Sequence, residues 1–368
     1  MEIKYQTRPP VKRQQILQEV RSSILDGRRK PGDRLPTRKE LGQTYAAGEH
    51  TVQRALDLLV ADGFVEVQGA RGTFVASNPP NLCRFGVYFP DSPNGWPHGR
   101  SRFYEAIEWE ARALAAEGAI ALPSYYLSRS RDISQTFDTR DLQRDYRSHR
   151  LAGLIFSAPP FALFNSPVLE EPGFPRVEIG IVQTRPHVAA VNLDFQKLLD
   201  RALLELASAG CRRVAMIVGR LTDDILEAYR SAIHRHGMTT QSCWLHAGSY
   251  PDKLPARHIA ELLMQAPPEK RPDSLIILDD NMVTEATHGL VAAGVRSAEE
   301  LRVIAHANFP HPTHSYFPAR RIGFNIRALL QTCIERIGQQ QRGETPPPMT
   351  LLAPQFENEV VSMNQVMS

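Results

Sequence analysis

The stretch YAAGEHTVQRALDLLVADGFVEVQGARGTFVA, residues 45–76, decides the architecture of the first part of the chain. Ala46, Ala47 and Gly48 turn the backbone. A helix follows in which Val52, Ala55, Leu56, Leu59 and Val60 share one face, and Gly63 stops it. FVEV (64–67) and TFVA (73–76) alternate in character on either side of the tip QGARG (68–72), which predicts a β-hairpin. Upstream, Ile16, Leu17, Val20, Ile24 and Leu25 form a single helical stripe from about 11 to 26. Thr37 stands three residues before Glu40, a capping-box spacing that opens a short helix reaching Tyr45. Three helices and a hairpin in this order predict a winged helix-turn-helix. Its third helix suits the major groove of DNA, which admits a helix and displays a distinct pattern for each base pair.

Charge is distributed accordingly. The 368 residues carry a net charge of +3, yet residues 1–78 hold 13 Lys and Arg against 9 Asp and Glu, whereas the other 290 hold 30 against 31. A polyanion is therefore expected to bind at the front of the chain. With 42% hydrophobic and 23% charged residues the chain has ample core, and its length suggests two or three domains. It contains no apolar run long enough to span a membrane, and MEIKYQTRPPVKRQQ lacks a signal-peptide core. Cys83, Cys211, Cys243 and Cys333 are far apart and form no CxxC, which fits free thiols and a cytoplasmic location.

PGDRLPTRKEL, HTVQRAL and LVADGFVEVQGARGTFV resemble the DNA-binding domain of the GntR family of bacterial transcription regulators, over about residues 10–77. The resemblance implies that Arg38, the residues from Gly48 to Gln53 and the wing glycines face DNA. The candidate DNA-binding residues are Arg34, Arg38, Glu49, His50, Thr51, Gln53, Arg54, Gly69 and Arg71. This chain departs from the family at two places. Gly48 and Glu49 stand where the family usually has Ser or Thr and then Arg, and Gln53–Arg54 replaces a common Arg pair. Two roles stand open for Glu49. An acid in the first turn complements the helix dipole by about 0.3–1 kcal/mol. Glu also accepts from cytosine N4, as Gln53 pairs with adenine.

SNPPN (77–81) is short, polar and proline-bearing, and reads as a linker. The domains are expected at 1–76 (winged helix-turn-helix), 77–83 (linker) and 84–368. In the last, FGVYF (85–89), LAGLIFSA (151–158), RVAMIVG (213–219), SLIILDD (274–280) and RVIAHAN (302–308) are candidate strands. AIALPSYYL (119–127), RVEIGIV (176–182) and SCWLH (242–246) are weaker ones. Helical stretches such as 103–118 and 195–210 separate them. Such alternation predicts an α/β fold with parallel sheets, long enough for two lobes, with ligands beyond the carboxyl ends of the strands.

VNLDFQKLLDRALLELASAGCRRVAMIVG, PDSLIILDDNMVTEATHGLVAAGV and ELRVIAHAN are similar to the effector domain of the LacI family and to periplasmic sugar-binding proteins, over about 84–356. The resemblance implies a two-lobed periplasmic-binding-protein-like domain that binds a small effector, most simply a sugar, and forms a homodimer. Positions after strand ends give the effector-binding candidates Asp91, Asn94, Arg220, Asp280 and Asn308, with Trp96 and Phe103 as rings for stacking. Asp280 matches the family's effector position; its other role is a helix cap.

No GxSxG, HExxH, GxxxxGK[ST] or GxGxxG is present, so no catalytic residue, enzyme activity or cofactor is expected. His306, His311 and His314 sit in a proline-broken loop, and no metal is expected there. The function implied is a ligand-responsive DNA-binding regulator, a repressor of carbohydrate-use genes acting on double-stranded operator DNA. The alternative is a DNA-binding regulator whose sensor domain only dimerises or binds a non-sugar metabolite.

Overall fold

The computed structural model describes residues 12–91, 100–129, 137–180, 188–248 and 252–360. Helices α1 (Lys12–Leu25), α2 (Arg38–Thr44) and α3 (Glu49–Ala61) precede an antiparallel hairpin of β1 (Val65–Val67) and β2 (Thr73–Val75). Ile16, Val20 and Ile24 of α1 pack with Leu41, Val52, Ala55 and Leu59 and with Phe64 and Val75 at the base of the wing. The capping box at α2 forms as expected: the Thr37 hydroxyl accepts from the Glu40 amide, and Glu40 accepts from the Thr37 amide at 2.7 Å. The tip of the wing is a short 3-10 turn, Gly69–Arg71, with Gly69 and Gly72 at positive φ (57° and 116°), a region that glycine enters freely.

The segment expected as the linker, 77–83, contains a regular element. Pro80–Cys83 forms one helical turn, α4, with Pro80 in the first turn where its missing N–H costs nothing. Beyond it run β3 (Phe85–Phe89), α5 (Arg102–Ala116), β4 (Ser124–Tyr126), a ribbon of β5 (Ser128–Arg129) and β6 (Phe137–Asp138), α6 (Arg140–Arg147), β7 (Gly153–Phe156), α7 (Pro167–Glu170), β8 (Arg176–Ile179) and β9 (Ala189–Leu193). The second lobe holds α8 (Phe195–Ser208), β10 (Val214–Val218), α9 (Asp223–Arg235), β11 (Leu245–Ala247), α10 (Leu254–Leu263), β12 (Ser274–Ile277), α11 (Val283–Ala292), β13 (Arg302–Phe309) and β14 (Arg320–Asn325). The chain then returns through α12 (Ile326–Gln341) and β15 (Met349–Leu352) to the first lobe and ends the described part with β16 (Gln355–Phe356) in the second.

The first sheet has order β15-β9-β8-β7-β3-β4, parallel throughout. The second has order β11-β10-β12-β13-β14-β16, parallel except for β16. Both are covered on both faces, which is why strands such as β3 (FGVYF) and β10 (VAMIV) are apolar along their whole length. In the first lobe Val87, Ile155 and Val177 pack under α5 and α12, while Tyr88, Leu154 and Phe156 meet α6 and α7. In the second, Met216, Ile276 and Ile304 face α8 and α9; Ala215, Leu275 and Val303 face α10 and α11. Between lobes the chain passes three times, before α8, before α12 and after β15. Strands β9, β14, β15 and β16 had no counterpart among the candidate strands, and SCWLH is a 3-10 turn (Ser242–Trp244) with the strand starting only at Leu245. Among the described residues no helix is long and apolar enough to cross a membrane.

Candidate functional site

Two surfaces concern function. The first is the exposed face of α3 with the wing. Gly48 caps α3 without a side-chain hydrogen bond, and Glu49, exposed, occupies the first turn. Tightness of the turn before α3 is set by Gly42, where a Cβ would lie 3.0 Å from the Ala47 carbonyl oxygen. His50 and Arg54 are exposed and Thr51 is half-buried. The Gln53 amide is already engaged: it accepts from the Arg38 guanidinium at 2.7 Å and donates to Asp57 at 2.7 Å. Arg38 and Gln53 thus form one unit, and reading adenine with Gln53 requires this unit to open. Arg34 pairs with Phe74 at the edge of the wing and lays its guanidinium against Gly72, while Arg71 at the tip lies over the Phe74 ring, 5.9 Å away. The wing therefore gathers Arg34, Gly69 and Arg71, and α3 presents Glu49, His50, Gln53 and Arg54.

The second surface is a cleft of about 450 Å³ between the lobes. It lies beyond the carboxyl ends of β8, β9, β10 and β12, as expected for parallel sheets. Phe103 and Phe195 give it aromatic walls; Asn192, Arg220, Asp224, Asp279 and Asp280 give it polar groups. Gly219 admits this packing, because a Cβ there would meet the Asp279 carboxylate at 1.8 Å. Asp279 accepts from the Asn281 amide (2.9 Å) and side chain (2.8 Å), and Asn281 in turn accepts from the backbone N–H of Arg102 at 2.9 Å. That last bond crosses from one lobe to the other. Helix α5 touches the second lobe again where His311 meets Glu110 at 2.8 Å and packs edge-on against Trp109.

Asp280 is 2% exposed, and burial, reinforced by the neighbouring Asp279 charge, pushes its pKa up to about 7. Asn308 donates its Nδ2 hydrogen to Asp280. His306, 7% exposed, lines the cleft between Phe195 and Phe324, and burial lowers its pKa to about 4.

Of the sequence candidates, Phe103, Arg220 and Asp280 come together in the cleft. Asn308 does not line it; wholly buried, it sits behind Asp280 and positions that carboxyl. Asp91 is placed elsewhere: its carboxylate is 3.5 Å from Arg100, which stacks over Phe89 at 4.4 Å. A strand-end position was misleading there because a buried guanidinium took the acid. Asn94 and Trp96 lie outside the described residues. The sequence reading missed Asn192, Phe195 and His306 as cleft residues. Asn192 and Phe195 flank Asp194, whose carboxylate caps α8, and that passage between lobes was the signal. No group of three His, Cys, Asp or Glu able to hold a metal ion occurs among the described residues.

The DNA-binding domain and the first lobe are joined by side chains. Arg21 of α1 pairs with Asp62 at 2.6 Å and lies over Phe64. Arg150 of the first lobe reaches Asp62 at 4.0 Å and Asp145 at 3.6 Å. Burial opposes the Asp145 charge, but the Tyr125 hydroxyl at 2.7 Å and the charges of Arg150, Arg84 and Arg144 outweigh it and keep its pKa below the ordinary value. Beside this, Asn81 of α4 donates to the Arg21 carbonyl (3.3 Å) and accepts from Gln341 at the end of α12 (3.3 Å).

A winged helix-turn-helix docked on a two-lobed, parallel-sheet clamp defines the class of this chain. Comparison with known proteins narrows it. Residues 12–75 match the family of bacterial regulatory proteins of the gntR type, and residues 203–355 match the periplasmic binding protein-like domain. A segment similar to gntR-family regulators at the front of the chain is thus followed by one similar to the periplasmic binding protein-like domain. Catabolite control protein A of Staphylococcus epidermidis is 20% identical over 227 residues, 61% of this chain and 64% of the relative. The chain thus spans just under two thirds of that relative's length. A regulatory protein of the LacI family from Chloroflexus aggregans superposes with a TM-score of 0.58 at 21% identity, covering 74% of this chain and 96% of that one. A LacI family transcriptional regulator from Lactobacillus casei with bound glucose superposes with a TM-score of 0.54 at 16% identity, covering 75% and 98%.

Proposed function

We propose that this chain is a ligand-responsive transcriptional regulator, a repressor of carbohydrate-use genes whose grip on operator DNA changes when a small sugar-like effector enters the cleft. One observation carries this reading: the cleft between the lobes is walled by Phe103 and Phe195 and edged by amides and carboxyls, in a chain whose front is a gntR-type DNA-binding domain. Aromatic faces with convergent donors and acceptors suit a ring that carries hydroxyls. The glucose-bound Lactobacillus casei regulator, of the same fold, supports a sugar as the ligand class.

At the DNA, Arg34, Arg38, Arg54 and Arg71 supply phosphate contacts, which give affinity and orientation. His50 and Thr51 lie beside them on the same helix, and Gly69 lets the wing tip approach the backbone. Glu49, with Gln53 once released, reads bases. A homodimer presents two such modules to a palindrome-like site, and effector binding favours one cleft geometry over another. The activity requires no catalytic step and is exercised in the cytoplasm, where the DNA is. Footprinting on the region upstream of its own gene tests the proposal. A protected palindrome released by one member of a panel of sugars is the expected outcome; protection indifferent to every sugar would remove the effector part.

A further inference from the structure

His306 lines the sensor cleft with polar atoms that find no partner among the described residues. His306 is 7% exposed, and both ring nitrogens lack a hydrogen-bond partner among the described residues. Buried polar groups are nearly always satisfied, and leaving one bare is costly. The ring is held at its flanks by Phe195, at 5.6 Å between centroids, and by Phe324, at 5.8 Å, so its neighbours fix the ring without bonding its nitrogens. It lines the cleft.

Resting on the effector reading above, we propose that His306 is the residue that recognises the effector at the floor of the cleft, and that the effector is an uncharged polyhydroxylated molecule rather than a phosphorylated one. Two further observations support the ligand class. Burial keeps the imidazole neutral near pH 7, so it offers one N–H donor and one acceptor nitrogen. A hydroxyl both donates and accepts and satisfies either nitrogen, whereas fully ionised phosphate oxygens only accept. Arg220 is balanced in the cleft lining by the acids Asp224 and Asp279, with Asp280 beside them, so a phosphate group would enter among acids. Arg102 and Lys253 act on Asp280 as well, but neither lines the cleft. Wholly buried Asn308, whose Oδ1 also has no partner among the described residues, holds Asp280 beside this floor.

Calorimetry of the full-length chain against a panel of free sugars, polyols and their phosphate esters tests this, with His306→Phe and His306→Gln alongside the wild type. The wild type is expected to bind a free sugar or polyol and to bind its phosphate ester at least about tenfold more weakly. His306→Phe, which keeps a ring and removes the two bare nitrogens, should lose about 10- to 100-fold in effector affinity with no fall in its effector-free melting temperature. His306→Gln, which restores a donor and an acceptor, should recover part of the loss. If His306→Phe does not fold, the ring 15N resonances of His306 in the wild type decide: a shift on saturation supports the assignment, and unchanged resonances overturn it. A sugar bound equally by wild type and His306→Phe would overturn the assignment and leave the effector reading standing. Tighter binding of the phosphate ester would overturn the ligand class. Silence of the wild type to the whole panel would overturn both the assignment and the reading on which it rests.

Discussion

Replacing Asp62 by Ala should destabilise the DNA-binding domain far more than its surface position suggests. The Arg21–Asp62 pair is 2.6 Å long, with side chains only 10% and 21% exposed, and the guanidinium is pinned over Phe64 at 5.0 Å. Arg21 therefore cannot simply swing into water when its partner is removed. Burial already lowers its pKa, and the Asp62 charge is the main influence opposing that. Breaking a fully buried pair costs about 3–5 kcal/mol and an exposed one less than about 1 kcal/mol; this pair lies between, at about 2–3 kcal/mol. In a domain of this size that is a fall of about 10–20 °C in its melting transition, read by scanning calorimetry of the full-length chain. The double variant Arg21→Met with Asp62→Ala should recover most of the loss, because an apolar side chain keeps the contact with Phe64 and leaves no charge stranded. Arg150→Ala, which removes a 4.0 Å contact to Asp62 and a 3.6 Å contact to Asp145, both from a part-exposed side chain, should leave the transition of the DNA-binding domain within a few degrees of wild type. An Asp62→Ala chain that melts like wild type, or a double variant no better than the single, would refute the reasoning.

Glu49→Arg should change the base preference at one position of each half-site by about 10- to 100-fold, consistent with a lost contact to cytosine, as read by selection from randomised duplexes; an unaltered preference leaves Glu49 as a helix-end charge only. Asp280→Asn should alter the pH dependence of stability. The Asp280 carboxyl is raised from its ordinary 3.8 to about 7, so the folded chain holds a proton there that the unfolded chain has released. Its contribution is present below pH 4 and is lost as pH rises towards 7, with a ceiling of about 4 kcal/mol. The melting temperature of Asp280→Asn relative to wild type should therefore climb between pH 5 and pH 8; a constant difference would contradict the raised carboxyl.

Much of this fold could be read in advance because its signals are local. The stripe of Ile16, Val20 and Ile24, the Thr37–Glu40 box and the glycine-tipped wing each lie within a few residues of sequence, and each stands in the structure where expected. The apolar strands of both sheets were equally plain, being buried on two faces. Strands β9, β14, β15 and β16 were not: AAVNL and RRIGFN mix apolar and polar residues, and MTLL and QF, each paired along one edge with a strand distant in sequence, carry little periodicity of their own. The cleft was legible only in part, for a related reason. Strand ends gave Arg220 and Asp280, but which acids face a ligand depends on tertiary partners: Arg100 takes Asp91 away from the cleft. His306 sits within a strand and carried no expected role; only its buried nitrogens, unpartnered among the described residues, and its place in the lining reveal it as a cleft residue. Likewise Gln53 reads as a free base-reading amide until Arg38 and Asp57 are seen to hold it.

We propose that occupation of the cleft is felt at the DNA-binding domain, which meets the first lobe through Arg21–Asp62–Arg150 and Asn81–Gln341. A closed thermodynamic cycle measures it: duplex affinity by fluorescence anisotropy with and without saturating effector, and effector affinity by calorimetry with and without saturating operator. The account predicts the same factor on both arms, clearly different from one, and a factor drawn towards one by Arg150→Ala. Two ligands that bind the chain together with a coupling factor of one would contradict it.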